Sequence, residues 1–188
     1  MIINVRVSPQ ETPQMVLDKI SGESTTFAIY GPIINWPSGW NVWELKSYIE
    51  LIQGLPPKIT ALDLDAFFMD LAIESRIAIL TTLNKTKVTT LQLEGASLAR
   101  KSDYELKEMW AGLVNTPVNT FSIRSYKKEE ADVLKTIPEQ IINLEITPAI
   151  DNPSEPFKRQ YMAEICYAAP PSVKKVIFMG IELEDNNL

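Results

Sequence analysis

The chain contains no histidine. That removes a Ser-His-Asp triad, a Cys-His pair and histidine metal ligation together. Any chemistry would have to run on carboxylates, lysines or tyrosines. Cys166 is the one cysteine, so no disulfide can close within the chain, which fits a reducing compartment. It falls on an apolar helical stripe with Tyr161, Met162 and Ile165, the setting of a structural thiol rather than a nucleophile. Glycine is scarce, 7 of 188 residues, and no Gly-rich phosphate loop occurs. Basic charge is in deficit: 18 Lys and Arg against 24 Asp and Glu leave a net charge of −6. That balance argues against nucleic acid as a partner. No run approaches ~18 consecutive apolar residues, so no membrane span is expected. Met1 to Val7 lacks the basic-then-apolar layout of a secretory signal, and the expected location is cytoplasmic.

What the chain does have is a recurring short sentence: apolar, two residues, apolar, one residue, apolar. The copies are Ile2-Val5-Val7, Ile59-Leu62-Leu64, Val88-Leu91-Leu93, Val118-Phe121-Ile123, Ile141-Leu144-Ile146 and Val173-Val176-Phe178. A weaker copy puts Ser24 ahead of Phe27 and Ile29. The middle positions 5, 27, 62, 91, 121, 144 and 176 are separated by 22, 35, 29, 30, 23 and 32 residues. A recurring L-x-x-L-x-L at about 20–29 residues is the mark of a leucine-rich repeat. In each copy the last two apolar positions are two apart, so both point to one face of a strand.

Between the copies the apolar spacing turns helical. Helices are expected over 13–20, 43–55, 70–83, from 102 to 113, over 127–137 and over 156–168. Asn41 and Glu44 have capping spacing, as do Ser102 and Glu105, and Pro156 suits a first helical turn. Pro56-Pro57, Pro138 and Pro170-Pro171 stop the preceding helices. No composition shift marks a boundary, so residues 1–188 read as one domain. Its strands are expected near 2–7, 26–30, 59–64, 88–93, 118–123, 141–146 and 173–178. One strand-helix pair cannot bury its own apolar face, whereas stacked neighbours can. The competing fold is an ordinary α/β sandwich whose strands happen to alternate with helices.

This pattern, carried most strongly by ITALDL at 59–64 and VTTLQL at 88–93, resembles the ribonuclease-inhibitor-like leucine-rich-repeat family. The resemblance implies an α/β solenoid with about seven parallel strands on the concave side and six helices on the convex side. It also implies a non-catalytic protein-binding module, monomeric and without a cofactor. Small divergent solenoids of this kind occur among effectors that bacteria such as Legionella inject into host cells. A host protein is therefore the implied partner, and translocation into the host the implied destination. The family usually carries Asn three residues after the last strand Leu. Here those places hold Phe67, Ala96, Tyr126, Ala149 and Ile181, so the turns must satisfy their backbone otherwise.

With the strand apolars inward, the intervening residues line the open face in columns. Tyr30, Asp63, Asp65, Gln92, Glu94, Arg124 and Glu145 fall there. Asp63, Asp65, Glu94 and Glu145 share one field, interrupted by Arg124, and would suit a basic segment of a protein partner. The alternative is a solvated face whose charges only confer solubility. Trp36 and Trp40 lie in the longest repeat and are a second candidate, since interface hot spots are enriched in Trp. Trp43 has helix spacing and reads as core. The rival function is enzymatic: Asp63-Leu64-Asp65 is a D-x-D that could hold Mg²⁺ or Mn²⁺ in a glycosyltransferase or phosphatase. Ala66-Phe67 after the second Asp does not match the phosphatase pattern. The acidic stretch from Gly180 to Asp185 could cap the last repeat, or serve as an export signal.

Overall fold

The computed structural model describes residues 2–6, 10–20, 22–30, 43–64, 66–127, 131–149 and 154–184. Seven parallel strands stand side by side in chain order: β1 (Ile2–Arg6), β2 (Thr26–Tyr30), β3 (Ala61–Leu64), β4 (Thr90–Glu94), β5 (Thr120–Tyr126), β6 (Asn143–Pro148) and β7 (Lys175–Phe178). An eighth, β8 (Ile181–Glu184), returns antiparallel on β7. The helices are α1 (Pro13–Leu17), α2 (Leu45–Gln53), α3 (Ala66–Asp70), α4 (Ile73–Thr82), α5 (Gly95–Leu98), α6 (Asp103–Trp110), α7 (Ala131–Leu134) and α8 (Glu155–Ala168). Strictly sequential parallel pairing is the topology of a leucine-rich-repeat solenoid, not of a doubly wound sheet, whose strand order reverses. Helices are ~10 Å wide and strands ~4.8 Å apart, so the helical side takes the longer circumference and the sheet the inner one.

The repeated apolar residues build the core. Phe27, Leu62, Leu91, Phe121, Leu144 and Val176 stand in one register row, each fully buried. Ile29, Leu64, Leu93, Ile123, Ile146 and Phe178 form a second buried row. Burying one such side chain contributes about 1.5–3 kcal/mol, so the two rows dominate the favourable side of folding. Aromatic contacts close the layer against the helices. Trp110 lies 4.9 Å from Phe121, and Tyr161 packs edge-on to Tyr126 at 6.1 Å. Arg76 of α4, almost wholly buried, pairs with Glu105 of α6 and ties the two helices together.

In the five later strong copies the first apolar residue lies ahead of the strand, whereas Ile2 of the first copy lies within β1. Ile59, Val88, Val118, Ile141 and Val173 are buried, but they sit at the end of a turn. In three repeats a proline makes that turn: Ile59, Ile141 and Val173 donate their N–H to Pro56, Pro138 and Pro170 at 2.9, 3.0 and 3.0 Å. In two others a threonine does. Thr86 and Thr116 bond the carbonyls of Leu83 and Leu113 through both N–H and hydroxyl. The next residue then starts a backbone ladder. The carbonyl of Thr25 accepts from Thr60 and Ala61, that of Thr60 from Thr89 and Thr90, and that of Thr89 from Asn119 and Thr120. Asn119 and Ile142 continue it to Lys175, one doubly accepting carbonyl per repeat.

The structure corrects several expectations. The seven expected parallel strands are present, and among the described residues an eighth, 181–184, pairs antiparallel with β7 instead of trailing as a tail. Met179 and Gly180, with φ of 51° and 79°, form the tight turn between them. Both positive φ values match the hairpin geometry that twists with its strands. Among the described residues there are eight α-helices rather than six. The expected helix over 70–83 is α4 with a 3-10 turn at its end, starting at Ile73, and the additional α3 precedes it and ends at Asp70. The additional α5 begins directly after β4. These short helices follow β3 and β4 closely and turn the chain at Phe67 and Ala96. The expected helix over 127–137 is reduced to the single turn α7 within the described residues. Ser102 caps α6 as its spacing implied, its Oγ accepting from Glu105 N at 3.2 Å. Asn41 lies outside the described residues, and α2 is entered through Glu44 without a side-chain cap.

Candidate functional site

The outward residues of β2 to β7 form a polar lattice on the open face of the sheet. Its central row is Ala28, Asp63, Gln92, Ser122, Glu145 and Ile177, neighbours in strand register. At the β2–β3 end this row is closed off: Ala28 is fully buried and Asp63 is 3% exposed. Asp63 is not a free acid. Arg124 donates from Nη2 to Asp63 Oδ1 at 2.7 Å, spanning β4 to do so. The guanidinium on Oδ1 already neutralises this carboxylate, which weighs against a divalent cation at this D-x-D. Among the described residues no three His, Cys, Asp or Glu side chains converge on a possible metal position.

A local distortion aims Arg124. The β5–β6 register shifts between Ile123 and Tyr126, and Ser125 takes a φ of 51°. This is a bulge, and bulges re-aim the side chains beside them. Ser125 is a non-glycine residue in the left-handed region, so the backbone there carries strain. The Arg124 Nε is buried without a hydrogen-bond partner, so the side chain is committed to Asp63 and yet incompletely satisfied.

Glu94 is also engaged. It precedes α5 as its N-cap, and its Oε2 accepts from Ser97 Oγ at 2.7 Å. Arg100 in turn donates to Ser97 at 3.1 Å. Beyond these pairs, Gln92, Ser122 and Glu145 are half-buried, and none has a side-chain hydrogen-bond or ion-pair partner among the described residues. They occupy three adjacent strands in one register row, about 4.8 Å apart from strand to strand. Exposed Thr147 and Met179 border them toward the strand ends. On the other side, Asn143 donates to Thr120 Oγ1 at 3.1 Å, and Lys175 pairs with Glu182 of β8 at 2.6 Å.

The candidates named from sequence therefore separate. Asp63, Arg124, Gln92, Glu94 and Glu145 share the open face, with Tyr30 half-buried at the end of β2. Asp65, Trp36 and Trp40 lie outside the described residues. Trp43 is core, 5.5 Å from Tyr48. Cys166 is half-buried on α8, where burial pushes its thiol pKa up, away from a reactive thiolate. Sequence reasoning did not single out Ser122, a small residue whose only signal is its column. It also missed that Asp63 and Arg124 neutralise one another, since 61 residues separate them.

No helix among the described residues is long and apolar enough to cross a membrane. No family model matches the chain, and no curated protein matches it. Among solved structures the chain is similar to the leucine-rich repeat-containing protein LegL7 from Legionella pneumophila. The TM-score is 0.47 at 15% identity, over 96% of this chain and 73% of that one.

Proposed function

We propose that this chain is a non-catalytic module that binds a protein partner through the open face of its sheet, centred on Gln92, Ser122 and Glu145. One observation carries the reading: three adjacent strands present a row of half-buried polar side chains with their hydrogen-bonding capacity unused. In the free protein these half-buried groups keep contact with water, since none is among the buried polar atoms left without a partner. A partner that supplies donors and acceptors replaces that water. Glu145 brings an unpaired carboxylate, so a lysine or arginine of the partner is the matching group. In a partly desolvated setting that pairing is worth more than an open surface ion pair. Among the described residues the acidic field expected from sequence is narrowed to Glu145, because Asp63 and Glu94 are engaged within the chain.

The test is affinity capture from eukaryotic and bacterial lysates, followed by titration of the captured protein. Glu145→Lys with Gln92→Lys should abolish retention while circular dichroism stays unchanged. Equal retention by both proteins defeats the open-face reading. A thermal shift with Mg²⁺ or Mn²⁺ that disappears in Asp63→Asn would support a metal-dependent transferase or phosphatase instead. Action as a translocated bacterial effector belongs to the same proposal and is tested by a translocation reporter. Because 181–184 forms β8, an export role for the acidic end is better tested by Glu182→Gln than by deletion, which would uncover the edge of β7.

A further inference from the structure

Arg124 stands between two carboxylates and takes the farther one. Asp63, Gln92, Ser122 and Glu145 are register neighbours on β3, β4, β5 and β6. Arg124 follows Ser122 by two residues, so it shares their face. At regular sheet spacing its Cα is then about 8 Å from that of Glu145 and about 12 Å from that of Asp63. Yet the guanidinium donates to Asp63, and Glu145 has no side-chain partner among the described residues. Glu94, directly beside Arg124 in register, is bonded to Ser97.

Burial decides this choice. Asp63 is almost wholly buried, and a carboxylate taken out of water depends on its cation far more than a half-buried one does. The bulge at Ser125 sets the direction of the arginine beside it. Gln92, Ser122 and Glu145 are thereby left open to water as a row of acceptors: an amide oxygen, a hydroxyl and a carboxylate. The row spans two strand spacings, roughly 10 Å. A guanidinium spreads five donors over a planar fork, whereas an ammonium sends three from one nitrogen. The fork is the better match to acceptors set side by side.

We propose that Asp63 is a positioning residue: by holding Arg124 it keeps Glu145 open for an arginine of the protein partner. This inference rests on the open-face reading and names the partner's matching group. Without the Asp63 charge, the Arg124 guanidinium turns to its nearer carboxylate, Glu145, and fills the place that the partner's arginine takes. With Asp63 in place, the incoming cation meets an arginine that is already neutralised.

The probe is an acetylated and amidated pentapeptide, one arginine between two pairs of glycines, with lysine and citrulline versions as controls. Amide shifts of the full chain are followed by NMR during titration. The arginine peptide should shift Gln92, Ser122 and Glu145. Lysine should bind about threefold more weakly, and uncharged citrulline about tenfold. Asp63→Asn, close to isosteric, should weaken the arginine peptide about threefold, and adding Arg124→Gln should restore it. A second readout needs no peptide. Glu145→Gln should lower the urea midpoint of the Asp63→Asn chain and leave that of wild type unchanged, since Arg124 and Glu145 pair in the former alone. The peptide series on the wild-type chain is independent of how the variants fold. Unchanged arginine binding in Asp63→Asn, no recovery with Arg124→Gln, equal binding of the lysine and arginine peptides, or no shifts at millimolar arginine peptide would overturn the proposal. Binding lost in Glu145→Lys but kept in Asp63→Asn would overturn it while the open-face reading stands. Shifts that avoid Gln92, Ser122 and Glu145 would overturn both.

Discussion

Arg124 on β5 reaches over β4 to hold Asp63 on β3, with Nη2 and Oδ1 2.7 Å apart. The carboxylate is 3% exposed and the arginine side chain 31%. Removing the cation takes the ion-pair partner from a buried carboxylate, whereas removing both partners does not. Arg124→Ala should therefore destabilise the fold by about 3 kcal/mol, at the lower end of values for buried pairs because the guanidinium is partly solvated. Arg124→Ala with Asp63→Ala should cost less than the sum of the single changes. Urea denaturation of the four proteins checks the cycle, and strict additivity would mean the pair is not coupled.

Glu105 shows a second charge relationship with a pH consequence. Its hydrogen bond from Arg76, with the nearby Arg76 and Lys101 charges, holds its carboxyl below the usual glutamate range. A folded-state pKa below the unfolded one adds stability above the unfolded value, about 4.3 for glutamate, and that stability is lost as pH falls through the folded value. Glu105→Gln should therefore be less stable than wild type at pH 7, and the gap should shrink in acid. Denaturation midpoints between pH 7 and pH 3 read this, and a gap constant with pH would contradict it.

Ser24 stands where five other repeats carry Ile59, Val88, Val118, Ile141 and Val173. It is fully buried, and its hydroxyl has no hydrogen-bond partner. Ser24→Val replaces an unsatisfied polar group with the residue type the column uses elsewhere. The expected gain is about 1 kcal/mol, read as a higher melting temperature. A lower one would show that Ser24 is bonded in solution.

Gly112 marks a close approach between neighbouring repeats. A methyl group there would stand 2.7 Å from the Ile77 carbonyl oxygen and 2.9 Å from Leu80 Cβ, both on α4. Backbone cannot swing aside as a long side chain does. Gly112→Ala should cost about 1–3 kcal/mol by overpacking. A neutral result would mean that the 3-10 turn over Ala111–Leu113 adjusts freely.

The solenoid was legible because its physics is periodic. One apolar pair per repeat, two residues apart, marked β2 to β7 in frame; in β1 the expected Val5-Val7 frame is two residues off, since Ile3 and Val5 stand opposite Phe27 and Ile29. The pattern misplaced strand starts because Ile59 and Val88 are as buried as strand residues, and apolarity alone cannot tell a turn residue from a strand residue. β8 escaped because Ile181-Glu182-Leu183-Glu184 alternates as a strand does but breaks the repeat period and reads as an acidic tail. On the open face, the columns placed Gln92 and Glu145 correctly, since alternation is a local property. Which carboxylates were spoken for was not legible. The Arg124–Asp63 bond depends on a bulge and a left-handed Ser125, and neither leaves a periodic mark.

The most direct test of the binding account is site-specific photo-crosslinking in cell lysate. A photoreactive residue replaces Gln92 on the open face in one protein and Glu74, exposed on α4, in another. The account predicts a discrete protein adduct from position 92, lost when Glu145 is also changed to Lys, and none from position 74. An adduct from position 74 alone, or one from position 92 that survives Glu145→Lys, would contradict it.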